Sequence, residues 1–173
     1  ADDYDASVAA CSSEEGEEEN LPGYAKVSGK AEATQEVAMN AVNKKVGTVT
    51  LKAGENDTTI SSIVIGHSGL GDASAVSAQL FQNGVAVSSQ KNISKSSQQV
   101  TLKLSPAVVM KANSSMTFDV MASLSGASNE THNFTVEAVN VANGKADGTP
   151  VALGTLKTTS YVAGSITASI TST

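Results

Sequence analysis

The fold is decided by residues 115–121, which read Ser-Met-Thr-Phe-Asp-Val-Met. Apolar side chains alternate here with Ser, Thr and Asp, and the segments Gln99–Leu104 and Asn133–Val139 show the same period of two. This period is typical of a β-strand that turns one face to a hydrophobic core and the other to water. The three segments therefore predict antiparallel sheet.

Further extended segments and turns extend this pattern over most of the chain. The strongest local signal is Asn83-Gly84 between two extended segments, which predicts a type I′ hairpin because both residues tolerate positive φ. No stretch combines a helical period with helix caps. We predict an all-β fold, an antiparallel immunoglobulin-like sandwich of about 8–10 strands. The remaining predicted strands are Glu36–Ala41, Val46–Leu51, Thr59–Ile65, Val76–Phe81, Val151–Leu156 and Val162–Ile170.

Composition excludes several classes of partner. The chain has 173 residues, a single domain's length, and its 11 basic residues are all Lys; Trp is absent, and there are three Tyr and three Phe. Without Arg and with few aromatic side chains, the chain is poorly equipped to clamp phosphates or stack on bases, so we expect no nucleic-acid partner. No apolar run approaches the roughly 18 residues of a membrane span, so we expect none.

The net charge of −6 is distributed unevenly. Residues 1–23 carry a charge of −8 and residues 24–173 a charge of +2. We therefore predict an acidic, irregular N-terminal extension and linker over residues 1–33, followed by a β-sandwich domain over residues 34–173; a segment of this composition becomes ordered only against a partner. The acids of the extension are Asp2, Asp3, Asp5, Glu14, Glu15, Glu17, Glu18 and Glu19.

The first residues bear on the cellular compartment. Because the chain starts at Ala1 rather than Met, we expect that a leader has been removed and that the protein is secreted, at the cell surface or extracellular; a chain simply cut at this point is the alternative. Cys11 is the only cysteine, so an internal disulfide is impossible. An intermolecular disulfide, lipidation and an inert thiol remain as readings of Cys11.

Five Asn-X-Ser/Thr sequences are candidate glycosylation sites. In a chain so rich in Ser and Thr, chance alone predicts about two to three. Glycosylation and coincidence both remain open. The acceptors are Asn56, Asn92, Asn113, Asn129 and Asn133.

The stretch from about Val46 to Val139 resembles an immunoglobulin-like module of secreted bacterial cell-surface and surface-layer-like proteins. The resemblance rests on the strand Thr59–Ile65, the loop Ser68–Asp72, the hairpin at Leu80–Gly84 and the strand Ser115–Val120. It covers a little over half of the chain and implies a surface location with a structural or adhesive role. The acidic first 23 residues lie outside it.

Candidates for chemistry are few. The only histidines, His67 and His132, are expected to be solvated turn residues, and the glycine-rich loop Gly66–Gly71 has no helix pattern after it to bind a phosphate. No Gly-X-Ser-X-Gly elbow is present. We expect no catalytic residue, no cofactor and no enzyme activity. A metal site stays undetermined, because Glu55, Asp57, Asp72 and the acids of the extension do not have the spacing of a calcium loop.

These features favour a non-catalytic extracellular structural subunit that assembles with copies of itself into a filament or a surface lattice. Terminal segments are expected to contact neighbouring subunits, and Val162–Ile170 is either the domain's own last strand or a strand given to the next subunit. Other cell-surface proteins or glycans are further possible partners. The alternative is a secreted adhesive or carbohydrate-binding module, although sugar sites need aromatic side chains. Lysines that the acidic extension of a neighbour could contact are Lys44, Lys45, Lys91, Lys95 and Lys103.

Overall fold

The computed structural model describes residues 22–159, which form a sandwich of two β-sheets. The seven-stranded sheet has the order β11-β1-β3-β9-β5-β6, with β7 also paired to β5, and the five-stranded sheet has the order β2-β12-β10-β4-β8. A 3-10 helix spans Ala73–Ala75. The strands are β1 (Gly23–Ala31), β2 (Gln35–Val37), β3 (Lys44–Ala53), β4 (Thr58–Ser68), β5 (Val76–Gln82), β6 (Val85–Ala86), β7 (Lys91–Asn92), β8 (Gln99–Met110), β9 (Ser115–Leu124), β10 (Thr131–Ala142), β11 (Gly144–Asp147) and β12 (Val151–Thr158).

The predicted all-β sandwich is confirmed. The long strands pair antiparallel, as expected, but both sheets are mixed because β1 pairs parallel with β11 and β2 pairs parallel with β12. Both parallel pairs place a short strand at the edge of a sheet. Within the described residues, no helix is long and apolar enough to cross a membrane.

The chain changes sheets at most of its connections. From β1 to β5, and again from β8 to β12, each strand lies in the opposite sheet from the one before it. Strand partners are therefore distant in sequence, as in the pair of β3 with β9, where Val49 is opposite Phe118. The β5–β6 hairpin is the exception and joins neighbours directly.

The sandwich has two ends, a base and an apex. The base is the end where β1 begins at Gly23, β4 begins at Thr58 and β8 ends at Met110. The Thr58 hydroxyl is fully buried there, accepts a hydrogen bond from the backbone N of Tyr24 at 3.1 Å and donates to the Tyr24 carbonyl at 3.0 Å, which ties the two sheets together. The apex is the opposite end, where β4 ends at Ser68 and β12 ends at Thr158.

A single hydrophobic core fills the space between the sheets. It consists of the inward-facing residues of both sheets, so alternate positions along each long strand are buried. Burial of a large apolar side chain contributes about 1.5–3 kcal/mol, which makes this core the main source of stability. The largest fully buried side chains are Leu51, Ile60, Ile63, Ile65, Leu80, Ile93, Leu102, Leu104, Met110, Phe118, Phe134 and Leu156.

The predicted hairpin is confirmed in its geometry. Asn83 and Gly84 have φ values of 51° and 79°, and they connect β5 to β6 as a two-residue loop. By contrast, the extended segment predicted to reach Ala41 ends at Val37, because the chain turns at Met39 and Asn40.

Strand β1 is the main difference from the sequence analysis. It begins at Gly23, inside the range expected to be extension and linker, and it pairs with both β3 and β11 in the seven-stranded sheet. Its buried residues are only Gly23, Ala25 and Val27, so its alternation is weak in the sequence. The predicted strand Val162–Ile170 lies outside the described residues.

Glycines allow β12 to cross closely over β1 and β3 near the apex. A Cβ atom on Gly154 would lie 2.7 Å from the carbonyl oxygen of Glu32 and 2.8 Å from that of Val46. A Cβ atom on Gly47 would lie 2.8 Å from Cδ2 of Leu153 on β12. Since the obstacles at Gly154 are backbone atoms, a larger residue there would force the two sheets apart.

We expect Gly154→Ala to lower the free energy of unfolding by about 1–3 kcal/mol, since the added methyl group overpacks a backbone contact. Urea denaturation monitored by circular dichroism measures the change. The matched control is Gly54→Ala, where the nearest atoms belong to the Tyr24 side chain at 3.2 Å and beyond; it should change stability by less than about 1 kcal/mol. Equal effects of the two substitutions would contradict the close approach of β12.

Candidate functional site

The two histidines form a buried pair at the apex, inside the sandwich. His67 lies on β4 and His132 on β10, and their side chains face inward beside Phe134. The exposed fraction is 6% for His67 and 1% for His132. The expectation that both are solvated turn residues was therefore wrong, because β4 continues through Ser68 and β10 already begins at Thr131.

A chain of hydrogen bonds determines which ring nitrogen of each histidine carries a hydrogen. The Gln98 side-chain amide donates to the Lys95 carbonyl at 2.9 Å, which turns its oxygen towards His67 Nδ1, also at 2.9 Å. Because an amide oxygen only accepts, His67 Nδ1 carries the hydrogen. In a neutral His67, Nε2 is then an acceptor, and it accepts from His132 Nδ1 at 2.8 Å.

This assignment leaves one buried nitrogen unsatisfied. His132 Nε2 is inaccessible to solvent and has no hydrogen-bond partner among residues 22–159. It lies 3.5 Å from Glu130 Oε1, so in the neutral ring a lone pair faces a carboxylate oxygen. A proton on Nε2 would convert this repulsion into a charged contact between His132 and Glu130.

Opposing effects act on the proton affinity of His132. Burial lowers the pKa of its ring, the adjacent His67 lowers it further, and the carboxylate of Glu130 works in the opposite direction. The net direction is downward, so the neutral ring is favoured in the folded protein. The pair can thus take up a proton at His132 Nε2, and this protonation lowers the free energy of unfolding.

The loops around the pair are held closely. Gln98 has a φ of 58°, uncommon for a residue other than glycine, and its side chain is bound at both ends. A Cβ atom on Gly71 would overlap the His132 ring, so only glycine fits there. The Glu130 carboxylate accepts hydrogen bonds from the backbone N of Asp72 at 3.3 Å and of Ala127 at 3.1 Å. The pair therefore connects three apex loops.

Neither Gln98 nor Glu130 was predicted from the sequence. Gln98 is one of several polar residues in a loop rich in Ser and Lys, and nothing near it in the sequence distinguishes it. Glu130 stands two residues before His132, a proximity that could have suggested a contact. His67 and Glu130 are far apart in sequence, so only the pairing of β4 with β10 brings them to the same end.

Two of the acids considered as metal ligands, Asp57 and Asp72, are engaged in other contacts. Asp57 accepts from the backbone N of Ala112 at 3.0 Å and pairs with Lys111 at 3.4 Å, and these contacts lower the pKa of its carboxyl group. Asp72 caps the 3-10 helix and pairs with Lys95 at 3.6 Å, and its pKa is lowered mainly by hydrogen bonds from Ser74. Over residues 22–159, no three His, Cys, Asp or Glu side chains come together as metal ligands.

The five candidate glycosylation sites differ in their surroundings. The side-chain amides of Asn56 and Asn92 donate to the carbonyls of Pro22 and Ser74, and the side-chain oxygen of Asn133 accepts from Thr155. Asn113 and Asn129 are exposed and have positive φ values of 63° and 61°, as expected for turns. Glycosylation stays a prediction for all five, and Cys11 lies outside the described residues.

Two of the four described Phe and Tyr side chains belong to the core. Phe118 and Phe134 are fully buried, and Phe81 is half-buried on β5. Tyr24 is half-buried at the base, where its hydroxyl binds Asp147. Tyr4 and Tyr161 lie outside the described residues. The described surface thus offers two partly exposed aromatic rings to a sugar.

The buried histidine pair makes stability depend on pH. Because the folded pKa of His132 lies below the unfolded value of about 6.5, its contribution is complete above pH 6.5 and is lost as the pH falls through the folded pKa. We expect the free energy of unfolding to decrease between about pH 6.5 and 5, by at most about 1.4 kcal/mol per pH unit for one proton. His132→Asn should reduce this slope in urea titrations.

Glu130→Gln provides the control. Removing the carboxylate takes away the interaction that favours the charged ring, so the His132 titration observed by NMR should move to lower pH. A move to higher pH would mean that the ring is solvated, and a wild-type protein whose stability rises between pH 6.5 and 5 would contradict the assignment.

The chain is similar to two solved structures at low sequence identity. The chain is similar to the sporulation control protein Spo0M from Bacillus subtilis, with 9% identity and a TM-score of 0.35 over 78% of this chain and 50% of that one, so it spans about half of Spo0M. It is also similar to the seventh ScaB type I cohesin from Pseudobacteroides cellulosolvens, with 10% identity and a TM-score of 0.31 over 87% of this chain and 99% of that one. No family model and no curated protein matches the sequence.

Proposed function

We propose that the protein is a non-catalytic extracellular structural subunit that assembles head to tail with copies of itself, through its terminal segments, into a filament or lattice. The observation that carries this proposal is the position of the two chain exits. Residues 1–21 join the sandwich at the base, immediately before β1, and residues 160–173 leave it at the apex, immediately after β12.

The distance between the two exits supports a contact that propagates. Strand β4 runs from the base to the apex over 11 residues, which at about 3.3 Å per residue corresponds to roughly 35 Å. Segments that leave at opposite ends reach different neighbours, one beyond the base and one beyond the apex. A contact of this heterologous kind need not close on itself, so it can repeat along a fibre.

The edges of the sheets also suit the addition of a strand. The edge strands β2, β6, β7 and β11 contain two to four residues each, so they cover little of the strands beside them, whereas the edge strand β8 of the five-stranded sheet contains 12 residues. Unpaired backbone groups at an edge accept a further strand, whose alternate side chains fill the pockets along it. The alternating sequence Val162–Ile170 has the composition for this role.

Two cavities support the apex as a receiving surface. One, of about 270 Å³, is lined by residues that include Glu36, Glu130 and Lys157, and the other, of about 370 Å³, by Glu32, Ala33, Gln35 and Lys45. Both lie near the chain exit at Thr159, whose backbone N donates to the Val37 carbonyl at 2.9 Å. A neighbour that approaches the apex therefore meets concave, charged surface.

Electron microscopy and analytical ultracentrifugation test the proposal. We expect the full chain to form ordered filaments or sheets, whereas a variant without residues 1–21 and a variant without residues 160–173 should remain largely monomeric. Circular dichroism should show that both shortened variants keep their β-structure, since their deletions end outside the described strands.

Two results would count against self-assembly. A full chain that stays monomeric at high concentration contradicts it directly, and undiminished assembly of both shortened variants excludes a role for the terminal segments. A glycan array run in parallel tests the alternative of a secreted adhesive or carbohydrate-binding module, which would be favoured by sugar binding without assembly.

A further inference from the structure

We infer that the outer face of the seven-stranded sheet carries the docking surface for the acidic residues 1–21 of a neighbouring copy, and that Lys26, Lys30 and Lys52 are its anchors. We call these three residues the lysine cluster. The inference rests on the proposed head-to-tail assembly and adds to it a surface and its occupant.

The cluster follows from the register of β1 and β3. On β1, Lys26 and Lys30 occupy outward positions that alternate with the inward Ala25 and Val27. Lys52 on β3 lies directly opposite Lys26, and all three lysines are exposed. The outer face of this sheet also holds Lys45, Lys145, Asp119 and Asp147, which pair with one another, so the lysine cluster gives the face a net charge of +3.

The pairing of Lys26 with Lys52 is unfavourable without a partner. Like charges directly opposite each other on antiparallel strands destabilise a sheet. None of the three lysines forms an ion pair within residues 22–159. The carboxylate of Asp147, opposite Lys26 on β11, is already engaged by Lys145 at 3.9 Å and by the Tyr24 hydroxyl. An anionic segment laid over the face would relieve the repulsion.

The outer face of the five-stranded sheet does not have this excess. Its charged residues are Lys103 on β8 and Lys157 on β12, with Glu137 on β10 and Glu36 on β2, so its net charge is zero. Positive charge therefore concentrates on the outer face of the seven-stranded sheet, and for this reason we place the docking surface there.

Residues 1–21 match the cluster in charge and in length. They contain eight acids and no Lys, with five Glu between Glu14 and Glu19. Extended, these six residues span roughly 20 Å, and the step from Lys30 to Lys26 along β1 is about 13 Å. The whole segment reaches up to roughly 70 Å, enough to leave the base of one subunit and follow a strand of the next.

The structure reduces the number of lysines that could bind the acidic residues of a neighbouring copy. Lys45 is paired with Asp119 at 3.4 Å and Lys95 with Asp72 at 3.6 Å, so neither offers an uncompensated charge. Lys103 lies on the neutral face, and Lys91 is on the edge strand β7. Lys44 is exposed at the apex end of β3, away from the cluster.

Charge reversal tests the inference in the full chain. The variant Lys26→Glu, Lys30→Glu, Lys52→Glu should raise the critical concentration for assembly by about tenfold or more. The matched control is Lys91→Glu, Lys103→Glu, Lys111→Glu, which changes the net charge equally at three other exposed lysines and should assemble at close to the wild-type concentration. Equal loss in both variants would overturn the docking surface, because net charge alone would explain it.

A reciprocal exchange excludes a folding defect and separates the two proposals. Adding Glu→Lys changes at Glu14, Glu15, Glu17, Glu18 and Glu19 to the cluster variant should restore assembly, since residues 1–21 then carry a charge of +2 and are again complementary to the face. If the wild type assembles and the cluster variant assembles equally well, the lysine cluster is refuted as the docking surface, but self-assembly is not. Failure of the wild type to assemble would instead refute the proposed function.

Mixing distinguishes a neighbour's segment from the subunit's own. A cluster variant still offers acids, and a chain with the five Glu→Lys changes alone still offers the lysine cluster. If the contact is between subunits, the two chains assemble in alternation when mixed, although each alone stays monomeric in ultracentrifugation, and raising the salt from about 0.05 M to 0.5 M dissociates the mixed assemblies by screening. A mixture that remains monomeric would assign the contact to a single subunit and overturn the inference.

Discussion

Packing of one sheet against the other is the interaction on which the rest of this structure depends. The chain crosses between the sheets at most of its connections, so few strands can pair with a neighbour in sequence. The ladder between β3 and β9, for example, joins residues about 70 positions apart. Such pairs become favourable only when the apolar faces of both sheets are buried together, which makes hydrogen bonding and core formation one cooperative event.

The apex shows what this arrangement does to polar side chains. His67 and His132 occupy inward positions that apolar residues fill elsewhere in the sandwich. Their burial is tolerated because the hydrogen bonds that run from Gln98 through both rings satisfy all but one of the ring nitrogens. A buried hydrogen-bond network that is nearly complete holds its residues in one arrangement. Here it holds three loops in place around the apex, where the last described strand ends.

Sequence patterns predicted the features that depend on local chemistry. Phe118 and its alternating neighbours identified β9, and Asn83-Gly84 identified the hairpin, because period and turn geometry are properties of a few adjacent residues. Strand β1 was missed because Ala25 and Val27 present little apolar surface beside an acidic segment. The lysine cluster and the histidine pair depend on cross-strand register between distant segments, which no local pattern specifies.

The opposite positions of Gly23 and Thr159 have a mechanical consequence. A force that pulls these two residues apart acts along the strands, since β1 and β12 both run from base to apex. Hydrogen bonds between strands lie across that direction, so the ladder of β1 with β3, seven residue pairs from Ala25 to Ala31, is loaded in shear. All of its bonds share the load instead of opening one after another, and the sandwich is thus built to resist tension along its long axis.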